Sequence, residues 1–225
     1  MKNYLFTSES VTEGHPDKVA DLISDNVANY LINQNENYRA AIETMVSSNM
    51  VTIAGEVKTS LMDNTDSIEE LVRQTVKDIG YEQENFHWNT LSFKNLIHNQ
   101  SVDIARGVDS GGAGDQGMMF GYACNENDSF MPSAIYYSHK ITKALSNARH
   151  SGQEWMGPDG KAQVTVEYSS VNKPLRISNV ICSTQHSEDL KDNPGEVKKR
   201  VEKIIKPELN GICLLYTSPS PRDDL

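Results

Sequence analysis

Two stretches in the first third of the chain carry apolar side chains at helical spacing. After Pro16, hydrophobic residues return every three or four positions, which predicts an amphipathic helix over about Asp17–Ile32. A second stretch follows Ser67–Glu70, a sequence typical of a helix N-terminus in which serine and glutamate satisfy two backbone N–H groups. Gly80 ends that stretch as a helix-terminating residue.

Two further helices are predicted in the second half of the chain. One opens at residues 132–133 and runs to about His150. The other has Asn193 as its cap and Pro194 at its first position, where the missing proline N–H would be unpaired in any case. Pro207 ends it.

Six shorter segments are rich in apolar and β-branched residues and predict strands. They are Tyr4–Thr7, Ala40–Val46, Val51–Val57, Met118–Ala123, Val164–Tyr168 and Arg176–Ser183. The order strand, helix, hairpin, helix then occurs twice with an offset of about 115 residues, which indicates an internal repeat. The predicted class is α+β, with repeated units of helices packed on one face of a mostly antiparallel sheet.

Composition narrows the possible partners. The chain has 225 residues and a formal net charge of −10. This charge argues against nucleic acid, whose recognition needs a basic surface. A nucleotide would have to be held locally by lysine, Mg²⁺ and backbone N–H groups, because long-range attraction is absent.

The three cysteines and the N-terminus indicate a cytoplasmic protein. Cys124, Cys182 and Cys213 are widely spaced and odd in number, which favours reduced thiols over disulfides or a zinc site. No apolar run approaches the length of a membrane helix, and the N-terminus lacks the apolar core of a signal peptide.

The sequence Glu13–Lys18 places charged and imidazole chemistry at a helix start. Backbone N–H groups at that end attract anions, phosphates above all. Asp17 is a hard oxygen donor that could hold Mg²⁺ on those phosphates. The alternative is that Asp17 only complements the helix dipole and that His15 only neighbours the cap.

Two glutamates lie on the predicted hairpin. If Val46 pairs with Val51, Glu43 opposes Ala54, and Glu56 is its diagonal neighbour on the same face. Neighbouring carboxylates repel unless a cation joins them. The alternative is a pair of independent exposed side chains.

Three polar, glycine-bearing segments are further candidates for ligand contact. Gly112–Gly117 satisfies G-x-G-x-x-G, but it lacks the strand before and the helix after it that a dinucleotide site needs, so a loop running into a strand is predicted. Residues 98–111 are polar and are predicted to form a mobile lid. Asp159-Gly160-Lys161 is a turn whose lysine could pair with phosphate, or an ordinary hairpin turn.

Six motifs, in this order, resemble the S-adenosylmethionine synthetases (methionine adenosyltransferases) over roughly residues 3 to 209. They are Thr7–Lys18, the hairpin Glu43-Thr44 to Gly55-Glu56, Gly112–Ala123, Met131-Pro132, Pro158–Lys161 and Ser183–Ser187.

The resemblance implies a reaction in which the methionine sulfur attacks C5′ of ATP and expels triphosphate, which is then split to phosphate and pyrophosphate. It also implies roles for individual residues. ATP would contact His15, Asp115, Asp159 and Lys161, with His15 and Lys161 catalytic; methionine would contact Glu56 and Gln100; Asp17 would hold Mg²⁺ and Glu43 would hold K⁺. A homodimer or a dimer of dimers is implied, because the family forms its active site between two subunits.

The resemblance also implies a domain plan. We expect an N-terminal domain at 1–100, a gating loop and glycine-rich connector at 101–117, a central domain at 118–212 and a non-native tail at 213–225. The family has three such domains, so the chain is expected to be truncated and weak or inactive alone. The segment between Asp109 and Gly112 is several residues shorter than in common bacterial forms, which leaves the details of gating open.

Two other functions fit the same residues. An ATP- or triphosphate-binding module without catalysis would bind ATP and make no product. A phosphohydrolase built on His15 and Asp17 would release phosphate whether or not methionine is present.

Overall fold

Helices and strands alternate along the part of the chain that the computed structural model describes, which is residues 2–34, 39–58, 65–101, 118–209 and 213–214. The α-helices there are α1 (Pro16–Gln34), α2 (Thr65–Ile79), α3 (Ser133–His150) and α4 (Pro194–Ile205). The strands there are β1 (Tyr4–Val11), β2 (Arg39–Ser47), β3 (Met50–Lys58), β4 (Glu82–Gln83), β5 (Phe86–His87), β6 (Ser92–Asn99), β7 (Met156–Tyr168), β8 (Pro174–His186) and β9 (Cys213–Leu214). No helix among these residues is long and apolar enough to cross a membrane.

The chain divides into two compact units. One comprises Pro16–Phe120, and the other comprises Met1–His15 together with Gly121–Leu225. The N-terminal strand therefore lies in the unit that contains the second half of the chain. Within the units, helix, hairpin and helix occur twice, as α1-β2-β3-α2 and α3-β7-β8-α4, so this part of the predicted repeat is confirmed.

The unit of residues 16–120 places α1 and α2 on one face of the sheet β2-β3-β6. Its core takes Val19, Ile23 and Val27 from α1 and Val51 and Ile53 from β3, so the apolar face predicted for the first helix is confirmed. Strands β2 and β3 are antiparallel, but β3 and β6 are parallel. Neither β6 nor its parallel pairing was predicted, because its partner strand is separated from it by a whole helix.

The hairpin has the register that the sequence predicts. Val46 pairs with Val51, Glu43 opposes Ala54 and Ala41 opposes Glu56. Gly55 has a φ of 137°, and a Cβ there would lie 1.9 Å from the carbonyl oxygen of Ala41. Only glycine fits this position, so the close approach of β2 beside Glu56 depends on it.

The other unit contains the sheet β1-β7-β8-β9, in which β7 pairs antiparallel with both β1 and β8, and β8 and β9 are parallel. Even-numbered residues of β7 are buried and odd-numbered ones are partly exposed, the alternation expected of a sheet covered on one face. Helices α3 and α4 bury Ile141, Leu145 and Ile205 against that covered face. The fold class α+β is confirmed.

Three element predictions were wrong. Residues 118–123 form no strand, and Met119 and Phe120 are each 91% exposed, because no strand in the described part pairs with them. Helix α2 begins at Thr65, so Ser67 lies inside its first turn instead of capping it. Strand β6 continues to Asn99, so the predicted lid does not begin at residue 98; residues 102–111 of it lie outside the described residues.

The tail was predicted to lack regular structure. Cys213–Leu214 instead pairs with Arg176 and Ile177 as the short strand β9, so this prediction was wrong for those two residues. Residues 215–225 lie outside the described residues.

Candidate functional site

The loop that leads into α1 is fastened to the start of β7. The Thr12 amide donates to the Gly160 carbonyl at 2.8 Å, and the Thr12 hydroxyl donates to the Pro158 carbonyl at 2.7 Å. The Gly14 amide donates to the same Pro158 carbonyl at 3.2 Å. These bonds continue the β1–β7 pairing beyond Val11, so residues 12–14 are held against β7.

The backbone at residue 14 lies so close to Pro158 that only glycine fits there. A Cβ at this position would lie 2.3 Å from the Pro158 carbonyl carbon, which is backbone and cannot swing aside. The glycine predicted to allow close backbone approach therefore does so against β7.

The far side of β7 carries another of the matched motifs. Gly160 pairs with Thr184 and Lys161 pairs with Ser183 on β8. Residues 11–15, 158–161 and 183–187 thus lie at one end of a single sheet. Three segments far apart in sequence meet there, and they bring His15, Asp159 and Lys161 into one region of the same unit.

Lys161 is paired in this structure. Its Nζ lies 2.9 Å from Oε1 of Glu9, and the two side chains are 44% and 48% exposed. A half-exposed ion pair contributes little to stability and exchanges readily, because water and salt screen it. The predicted phosphate-binding lysine is thus accessible, but it faces a carboxylate that sequence reasoning did not assign to the site.

A second carboxylate lies one residue before Gly14. Oε1 of Glu13 accepts from Arg149 Nη2 at 2.6 Å and lies 3.0 Å from His150 Nε2. Burial alone would raise the pKa of Glu13, but hydrogen bonds from Arg149, its own backbone and Ser146 outweigh burial and hold the pKa below its usual value.

Asp17 is exposed in the first turn of α1. The described residues hold no group of three or more histidine, cysteine, aspartate or glutamate side chains that could cage a metal ion. Mg²⁺ is commonly held by one or two carboxylates together with substrate phosphates, and an accessible aspartate at a helix start fits that mode. Glu43, with Glu56 as its diagonal carboxylate, does not by itself form a cation cage.

The open face of the sheet β2-β3-β6 carries two of the assigned residues, Glu43 and Glu56. Glu43 and Glu56 lie on the face opposite the helices, since their neighbours Val51, Ile53 and Val57 point into the core. The Gln100 amide donates to the Val57 carbonyl at 2.9 Å, which extends the ladder of β3 and β6. The side-chain oxygen Oε1 of Gln100 is buried and accepts no hydrogen bond from the residues described. Asp115 and Gly112–Gly117 lie outside the described residues.

Sequence reasoning missed Glu9, Glu13 and Arg149 as neighbours of the site. The first two stand in the first matched motif, so their position was visible but their partners were not. Arg149 is 136 residues from Glu13 in the chain, and no periodic pattern connects residues so far apart.

Comparison with known proteins identifies the family of this chain. The family model described as the N-terminal domain of S-adenosylmethionine synthetase matches residues 3–102, and that of the central domain matches residues 110–218. An S-adenosylmethionine synthase of Paramagnetospirillum magneticum is 50% identical over 211 residues, covering 91% of this chain and 54% of its own length. The S-adenosylmethionine synthase of Rhodospirillum centenum is 50% identical over 209 residues, which cover 90% of this chain and 53% of that protein. The S-adenosylmethionine synthase of Zymomonas mobilis is 47% identical over 204 residues, which cover 88% of this chain and 52% of that protein.

The class is therefore an α+β protein of repeated helix-and-sheet units. The chain belongs to the S-adenosylmethionine synthetase family, since the two family models together cover most of it. It spans about half the length of the curated relatives it matches.

Proposed function

We propose that this chain forms part of an enzyme that makes S-adenosylmethionine from ATP and L-methionine, releasing phosphate and pyrophosphate. The observation that carries the proposal is the fastening of Thr12 and Gly14 to Pro158 and Gly160. It brings His15 into the same region as Asp159 and Lys161, and a lysine is a natural partner for the charge of a triphosphate.

His15 is proposed to hydrogen-bond the bond between ribose and triphosphate as it breaks. Lys161 neutralises phosphate charge once it leaves Glu9, and Asp159 contacts ATP. A neutral thioether nucleophile has no proton to lose, so the reaction needs no general base. Negative charge develops on the leaving triphosphate, and fixed hydrogen-bond donors and cations stabilise that charge.

Asp17 is proposed as the protein ligand of Mg²⁺. The ion, when bound, supplies positive charge to the phosphate oxygens. Glu43 is proposed as one ligand of K⁺, with its other ligands coming from outside the described residues.

Methionine is assigned to the open face of the other unit's sheet. Glu56 can accept a hydrogen bond from the ammonium group, and Gln100 has a buried carbonyl oxygen with capacity for a donor. Asp115 is proposed as a further ATP contact. We further propose a cytoplasmic homodimer or dimer of dimers, on the strength of family membership.

Binding without catalysis is the second candidate, and the length of the chain favours it. The matched segments cover only 54% and 53% of the first two relatives, so groups that complete the reaction are expected in the part not matched. Titration calorimetry with MgATP, followed by chromatography after incubation with methionine, Mg²⁺ and K⁺, separates the two. Product formation supports the synthase function for this chain, ATP binding without product supports the module, and absence of ATP binding contradicts both.

A further inference from the structure

The loop between β1 and α1 is held from two sides. On one side, backbone and hydroxyl groups of Thr12 and Gly14 bond to β7. On the other side, the Glu13 carboxylate reaches the last turn of α3, where Arg149 and His150 lie. Glu13 stands between two fastened residues and two positions before His15.

Arg149 is the dominant partner in this contact. Its side chain is 15% exposed and that of Glu13 is 27% exposed, whereas that of His150 is 58% exposed. Charge-assisted hydrogen bonds shielded from water are the stronger ones. The Nε of Arg149 is buried and finds no acceptor among the described residues. Burying this N–H group without an acceptor costs free energy, and the hydrogen bond from Arg149 Nη2 to Glu13 offsets that cost.

We propose that Arg149 is a positioning residue: through Glu13 it fixes the loop that carries Gly14 and His15 in the conformation that receives phosphate. The choice of phosphate as the ligand rests on the proposed function. The positioning role of Arg149 rests on its contact with Glu13. Arg149 is not placed in contact with ATP. A purely local alternative is that Arg149 only complements the dipole at the C-terminal end of α3.

Hydrogen exchange at the Gly14 amide distinguishes the positioning role from the dipole role, because this amide bonds to Pro158 and exchanges only when the loop opens. The measurement is hydrogen exchange by NMR on the ¹⁵N-labelled chain and on Arg149→Met. Loss of one charge-assisted bond should speed exchange at Gly14 by about tenfold or more. Arg149→Lys should recover much of the protection, since it retains a cation within reach of Glu13.

Arg176→Met is the matched control. Arg176 also bonds a glutamate, Glu167, at 2.6 Å and in the same unit, but on β8 and β7. It should leave Gly14 exchange unchanged. Glu13→Gln should reproduce the effect of Arg149→Met and gives a second route should the arginine variant fail to fold. Unchanged Gly14 protection in both Glu13→Gln and Arg149→Met would overturn the proposal.

The ligand side is tested with inorganic tripolyphosphate and Mg²⁺. Arg149→Met should weaken binding by about tenfold while Arg149→Lys and Arg176→Met bind normally, because only the loop conformation has changed. Equal tripolyphosphate affinity in Arg149→Met would overturn the link to phosphate. If the unaltered chain shows no tripolyphosphate binding, the proposed function fails, and the exchange data still decide whether Arg149 orders the loop.

Discussion

Gly14 is the residue whose replacement should disturb the candidate site most directly. Gly14→Ala puts a methyl group 2.3 Å from the Pro158 carbonyl carbon, so the loop must move away from β7. We expect a loss of about 1–3 kcal/mol in the free energy of unfolding, as for other overpacked sites. Urea denaturation measures it. Gly121→Ala, where no atom lies within 4 Å of the new methyl group, is the control and should change stability little.

His15 and Asp17 should matter for rate more than for stability. In the full-length protein, His15→Asn and Asp17→Asn should each lower turnover roughly 100–1,000-fold, as expected on losing a group that stabilises developing charge. Neither residue is buried in a core, so the thermal midpoint should change little. If the two residues serve only the helix terminus, the rate will stay normal and stability will fall by about 0.3–1 kcal/mol.

Residue positions within one hairpin were predictable, and long-range partners were not. The diagonal placement of Glu43 and Glu56 follows from a four-residue turn, and the observed register agrees. The pairs Glu9–Lys161 and Glu13–Arg149 depend on β1 lying against β7 and on α3 covering that sheet. No local pattern encodes these contacts, so the sequence indicated which motifs matter without indicating how they meet.

At the scale of elements, helix α3 begins without a cap of its own. Pro132 precedes it and makes no side-chain cap bond. Glu126 supplies the missing acceptor: its Oε2 accepts from the Ser133 amide and from the Tyr168 hydroxyl, each at 2.8 Å. Burial would raise the pKa of Glu126, but these hydrogen bonds outweigh it and hold the pKa below the usual value.

Glu126→Gln should therefore destabilise the unit that contains α3. The charge-assisted bonds to Ser133 and Tyr168 are weakened together, and we expect a loss of about 1–2 kcal/mol at neutral pH, since the carboxylate is partly exposed. Because the folded-state pKa is depressed, the stabilisation is present above the ordinary glutamate range and is lost as pH falls through the folded value. Thermal melts at neutral and acid pH measure it, with Tyr168→Phe removing only one of the two bonds. A variant as stable as the parent at neutral pH would exclude this capping role.

The elements that sequence reasoning missed share a physical cause. Helix and hairpin predictions rest on spacing within a few turns, and those elements are present. Strand β6 pairs with β3 across α2, and β9 pairs with β8 across α4, both in parallel. The expected strand at 118–123 has the residues of a strand but no neighbour among the described residues, and β-propensity alone does not form a sheet.

At the scale of the whole molecule, the chain as it stands should be a poor synthase. It spans about half the length of its curated relatives, and further phosphate-binding groups are expected in the part it does not match. Incubation with ATP, methionine, Mg²⁺ and K⁺ should give little or no S-adenosylmethionine. Turnover on the order of 1–1,000 per second, the ordinary range for enzymes, would show that the matched part suffices.

The membership of β1 in the second unit has a consequence for synthesis on the ribosome. Tyr4 pairs with Tyr168, so β1 must wait for a partner made more than 150 residues later. At about 5–20 residues per second that delay is roughly 8–30 s. Residues 16–120 can fold meanwhile, since their sheet needs nothing from β1. During this interval the backbone N–H and C=O groups of β1 that later pair with β7 are open to other nascent chains, so the strand is a potential site of aggregation until β7 is made.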